Sequence, residues 1–70
     1  MPKLFSSAHI ISVLGKHGFV FVSQKGSHTK YRKTTKEKVL TVIVPANKKE
    51  IPQGTFRSIL RQAQLQASDF

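Results

Sequence analysis

Apolar positions in the first quarter of the chain recur at helical spacing. Ile10, Val13, Leu14 and His17 fall at i, i+3, i+4 and i+7, and Ile11 widens the apolar face. Ser6 and Ser7 stand where a helix N-cap is needed, and Gly18 stands where a left-handed residue would end the helix. Gly15 weakens the last turn, which points to a short helix or to close packing there. From Phe19 the period changes to two. Phe19-Val20-Phe21-Val22 is rich in strand formers, and Lys25-Gly26 supplies a turn.

A second strand is expected over Ser27–Lys33, with two distinct faces. His28, Lys30 and Arg32 point one way, and Ser27, Thr29, Tyr31 and Lys33 point the other. Tyr31 thereby falls on the core side, and Phe19 and Phe21, which share a strand face, are also expected in the core. Thr34-Thr35-Lys36-Glu37 is short enough for a hairpin connection. Val39 to Val44 is the most strand-prone segment, and Pro45 stops it because proline cannot donate to a ladder.

After a polar loop over Ala46–Glu50, Pro52 sits where a helix can begin. Phe56, Ile59, Leu60 and Ala63 then form an apolar stripe, with Arg57 and Arg61 one turn apart on another face. The order is helix, three strands, helix. The economical solution is an α+β fold: a three-stranded antiparallel sheet with both helices on one face and the other face wet. Double-stranded-RNA-binding domains share this α-β-β-β-α order, which alone says little about function.

Composition narrows the picture. The 70 residues suit one domain, residues 1–70, without linker or repeat. A chain of this size buries only about 60% of its unfolded surface, so the core must be thin. There is no cysteine to staple it, and the three histidines and three acidic residues show no zinc or magnesium spacing, so no metal or cofactor is expected. Twelve Lys and Arg against three Asp and Glu give a formal net charge of +9, which favours nucleic acid or an acidic protein surface as partner. No stretch approaches the ~20 apolar residues of a membrane span, and the N-terminus lacks the apolar run of a signal peptide. A soluble cytoplasmic protein without membrane contact is the expectation.

Several segments together resemble the HicA toxins in order and spacing. They are Gly18-Phe19; Gln24-Lys25-Gly26-Ser27-His28 with Tyr31; Val44-Pro45; and Gly54-Thr55-Phe56-Arg57-Ser58-Ile59-Leu60-Arg61-Gln62-Ala63. The resemblance implies a double-stranded-RNA-binding-like fold, metal-independent cleavage of messenger RNA, and neutralisation by a HicB-type antitoxin. It makes the histidine of the Gly-Ser-His step, here His28, the catalytic residue. Operator DNA would be met only indirectly, through the antitoxin complex. The chain departs from the family pattern twice. Many members carry a histidine shortly after Val-Pro, where this chain has Ala46-Asn47, so no second histidine is implied there. Members often have glycine after Gln-Ala, where Gln64 stands here, so the last helix is expected to run on towards Leu65 and Gln66.

The chemistry suits the residues. RNA carries its own nucleophile, the 2′-hydroxyl, so a protein needs mainly to move protons and stabilise phosphorane charge. Histidine side chains in general titrate near ~6.5 and can do either proton transfer at neutral pH. Gly26 lets a phosphate approach the backbone beside Ser27. Lys25, Lys30 and Arg32 are placed to hold RNA phosphates, and Lys33, Arg57 and Arg61 are candidate contacts to RNA or antitoxin. His9 is expected on the solvent side of the first helix and His17 at the end of its apolar face, neither with a functional role, and Gly54-Thr55 is expected to cap the last helix. A non-catalytic RNA-binding module of the same fold is the main alternative, and an interaction protein that lends charge to an antitoxin–DNA complex is a third.

Overall fold

A computed structural model describes residues 3–70. Its elements are α1 (Ser7–Lys16), β1 (Val20–Lys25), β2 (His28–Thr34), β3 (Val39–Pro45), α2 (Gln53–Ala63) and a 3-10 turn over Ala67–Asp69. The strands form an antiparallel sheet in the order β1-β2-β3. Both helices pack on one side of it, so the expected α-β-β-β-α architecture is the one observed.

The helix ends follow from local chemistry. The Ser6 hydroxyl caps α1 by accepting from the His9 N–H at 3.1 Å. Gly18 follows the last turn with φ of +94°, a conformation that favours glycine, and the Phe19 N–H then bonds the Leu14 carbonyl at 3.0 Å. Ser7 is buried but satisfied. Its hydroxyl donates to the Pro45 carbonyl at 2.6 Å and accepts from the Lys48 N–H at 3.0 Å, so α1 is tied to the loop after β3. His9 is also structural: its ring stacks on Phe5 at 4.7 Å, and Nε2 lies 2.8 Å from the Phe70 carbonyl. His17 is the C-cap of α1.

The core is the apolar face of each helix pressed on the inner face of β2 and β3. Ile10 and Leu14 of α1, Tyr31, Val42 and Val44 of the sheet, and Phe56, Ile59 and Ala63 of α2 join Phe19 and Ile51 in one cluster. Thr29 is the polar member of this face, and its hydroxyl donates to the Val44 carbonyl at 2.7 Å. At the opposite edge, the side-chain carbonyl of Gln62 accepts from the Ile43 N–H at 3.0 Å, anchoring α2 to β3.

Four expectations are corrected. Phe19 is buried, but Phe21 is 58% exposed. It does share the inner face, lying opposite Tyr31 with an edge-on ring contact at 5.8 Å, but every residue of β1 is exposed because the helices pack against β3 and not over the edge strand. Ser27 belongs to the turn, and β2 begins at His28. The N-cap of α2 is Pro52, which leaves Gly54 and Thr55 inside the first turn without a capping role. Finally, α2 does not run on: Gln64 takes a left-handed conformation with φ of +57°, and the Leu65 N–H closes onto the Leu60 carbonyl at 3.1 Å. The backbone turns where family members often use glycine, and glutamine tolerates the geometry at some cost. Gln64→Gly is therefore expected to raise stability by about 0.5–1 kcal/mol, read as a higher midpoint in urea at constant m. Loss of the exposed Lys38–Gln64 side-chain hydrogen bond offsets little of this gain.

Candidate functional site

The site is built at the closed end of the β1–β2 hairpin. Lys25 pairs with His28 across a connection of two residues, Gly26 and Ser27. Gly26 has φ of +60° and Ser27 does not share the positive φ, the pattern of a turn with glycine at its first central position. A Cβ at Gly26 would meet nothing within 4 Å, so the glycine serves backbone conformation, and the tip is left bare. The Gln24 side-chain amide donates to the Gly26 carbonyl at 3.0 Å, and the Ala46 N–H donates to the Ser27 carbonyl at 2.7 Å. The tip is thus braced from both β1 and the loop after β3.

A β-bulge decides which side chains meet. Phe19 and Phe21 face the core side, and strict alternation from them would send Ser23 and Lys25 the same way. The ladder instead shifts between Phe21 and Ser23, so that Phe21 pairs with Tyr31 while Ser23 pairs with Lys30 and Lys25 with His28. The extra residue resets the phase of β1 and brings Lys25 onto the open face. A cavity of about 460 Å³ results, lined by Ser23, Lys25, His28, Thr29, Lys30 and Ile43. His28 is exposed, and Lys30 is half-buried beside it.

Other residues singled out from the sequence lie elsewhere. Arg32 shares the face of His28 but sits four residues along β2, roughly 13 Å away at the usual strand rise, and does not line the cavity. Lys33 lies on the core side, with its stem along Gly18 and its ammonium 5.9 Å from the centre of the Phe19 ring. Arg57 and Arg61 are exposed on α2, on the helix side of the sheet. Asn47, where many family members have histidine nearby, is exposed with φ of +58° and lines a second cavity on the helix side of the hairpin. Ser23 and Ile43, both lining the first cavity, carry no motif signal and are found only through register.

Among the described residues, no three His, Cys, Asp or Glu side chains are grouped to hold a metal ion. No helix in the described residues is long and apolar enough to cross a membrane.

The element order, the layering and the exposed basic face define a small α+β protein of the double-stranded-RNA-binding-like class. Comparison with protein families is more specific: residues 7–65 match the family described as the HicA toxin of bacterial toxin-antitoxin systems. The chain belongs to the HicA family, and the match runs from the first residue of α1 to just beyond α2. A search of curated proteins returned no match. Membership makes this chain the toxin of a toxin–antitoxin pair, in a family whose members are generally RNases and have a cognate antitoxin.

Proposed function

We propose that this toxin is an endoribonuclease that cuts messenger RNA in the cytoplasm, with His28 as general acid or base and no metal ion taking part. The observation that carries the reading is the cavity in which Lys25 and Lys30 flank an exposed His28 at a bare hairpin tip. The 2′-oxygen bonds to the adjacent phosphorus and gives up its proton, while the bond from phosphorus to the 5′-oxygen breaks and that oxygen gains a proton. The products are a 2′,3′-cyclic phosphate and a 5′-hydroxyl, with atoms and charge in balance. His28 handles one of the two proton transfers, and water in the open site can carry the other. The ammonium groups of Lys25 and Lys30 stabilise charge that builds on the phosphorane oxygens. Arg32 holds a phosphate further along the strand, and the backbone at Gly26 and Ser27 gives close access to the tip.

The same basic face suits a HicB-type antitoxin with acidic side chains, which would silence the toxin by covering His28. Lys33, Arg57 and Arg61 can add contacts to antitoxin or RNA outside the cavity. Contact with operator DNA would then be indirect, through the antitoxin complex.

The test uses purified protein with labelled single-stranded RNA in the presence of EDTA. Cleavage to cyclic-phosphate ends supports the reading; salt-sensitive retention of intact RNA would instead mark a binding module. A second prediction concerns the two lysines. If each meets a phosphate, Lys25→Ala and Lys30→Ala each reduce the slope of log K against log salt by about 0.7 for single-stranded RNA. Titration of an RNA made uncleavable by 2′-deoxy substitution measures that slope directly.

A further inference from the structure

A second cavity, of about 450 Å³, lies against the same hairpin on the other side of the sheet. Thr29 lines both cavities, and the pair Gln24–Thr29 is the next rung of the ladder after Lys25–His28. The two hollows therefore flank one short piece of backbone, close to the Gly26-Ser27 tip. We propose that this second cavity holds an unpaired base of the RNA whose phosphate lies at His28, so that the substrate strand passes over the hairpin tip.

The proposal rests on the nuclease reading of the His28 site and adds to it a subsite for one unpaired base of the substrate strand. Several observations support it. The walls are fixed before any ligand arrives. The Ser7 N–H bonds the Lys48 carbonyl at 2.9 Å, the Lys48 N–H bonds the Ser7 hydroxyl at 3.0 Å, and the Ala46 N–H holds the tip. The lining also has the make-up of a small-ligand site. Ala8, Ile11 and Ala46 supply apolar surface, while Gln24 and Asn47 bring side-chain amides. Its volume falls in the ~300–1,000 Å³ class of such sites.

Amide side chains present both a donor and an acceptor, which is what reading the edge of a base requires. Lys48 and Lys49 on the rim add charge for the flanking phosphates. The left-handed turn at Asn47, with φ of +58°, lets the loop double back and bring these residues to the hairpin. A base can enter such a hollow only when it is splayed out of a duplex, because the paired bases of an A-form helix are stacked and their edges engaged. Gly26 adds no side chain of its own to the path between the hollows, and the space around its Cα is open.

The test reads binding and catalysis separately. Titration of the ¹⁵N-labelled protein with each of the four ribonucleoside 5′-monophosphates, at millimolar concentration, is expected to shift the amide signals of Ala8, Ala46 and Asn47 and the side-chain amides of Gln24 and Asn47. The shifts should persist in His28→Ala. Ala8→Leu, which fills the cavity from an exposed helical position at little cost in helix propensity, is expected to abolish them. The same variant should raise KM for RNA about tenfold with kcat little changed, the loss of one ordinary base contact. No shift with any nucleotide, or shifts confined to Ser23, Lys25, His28 and Lys30, would overturn the proposal; a cavity that instead receives a partner protein's side chain would give the first result. If the wild type leaves RNA intact, the nuclease reading falls, yet the nucleotide titration still decides the occupant of the cavity.

Discussion

Replacing His28 by alanine is expected to lower RNA cleavage at least ~100-fold, the usual contribution of a positioned acid–base group, while leaving the fold intact. The second half of that expectation follows from the environment. His28 is exposed, its pairing with Lys25 and Pro45 uses backbone, and neither the core cluster nor the hydrogen bonds bracing the hairpin involve its ring. Surface changes of this kind move stability by no more than about 0.5 kcal/mol. Thermal melts of the two proteins should superimpose, and expression of the variant should no longer arrest growth. A variant that melts much earlier than the wild type would show that the ring has a packing role absent from the structure.

Ile59→Ala is expected to abolish activity by the opposite route. Ile59 is 1% exposed on α2 and belongs to the single core cluster that joins both helices to the sheet. Truncating a buried isoleucine removes its burial and leaves a cavity, at about 2–5 kcal/mol. Domains below ~70–80 residues hold only about 3–5 kcal/mol from one core, so most or all of the margin is lost. Far-UV circular dichroism and a urea titration check this outcome: the variant should be largely unfolded at 37 °C, in contrast to a folded and inactive His28→Ala. A well-folded Ile59→Ala would mean that α2 contributes less than its packing implies.

The helices, strands and their order were legible because each rests on a local rule. Ser6 and Gly18 bracket α1, the run Val39–Val44 is strand-prone throughout, and the Phe56-Ile59-Ala63 stripe identifies the buried side of α2. Residues whose fate depends on neighbours distant in sequence were not legible. Alternation puts Phe21 on the inner face, but its exposure depends on how far the helices reach across the sheet. Gln64 ends α2 because the chain must turn there, although its identity gives no glycine signal.

The candidate site divides in the same way. His28, Lys30 and Arg32 share a face by strand alternation, which a sequence displays directly. The meeting of Lys25 with Lys30 and Ser23 on that face depends on a bulge, and one extra residue in an exposed strand leaves no mark in composition or period. The second cavity is still more remote from sequence, since it joins α1, the hairpin and the 46–49 loop through backbone hydrogen bonds.

The most direct test of the central claim is cleavage of end-labelled single-stranded RNA by wild type and His28→Ala, both in EDTA and both verified as folded. With His28 carrying a proton transfer, the wild type is expected to cut to 2′,3′-cyclic phosphate and 5′-hydroxyl ends and His28→Ala to leave the RNA whole. Full cleavage by folded His28→Ala, or no cleavage by folded wild type, would contradict that claim.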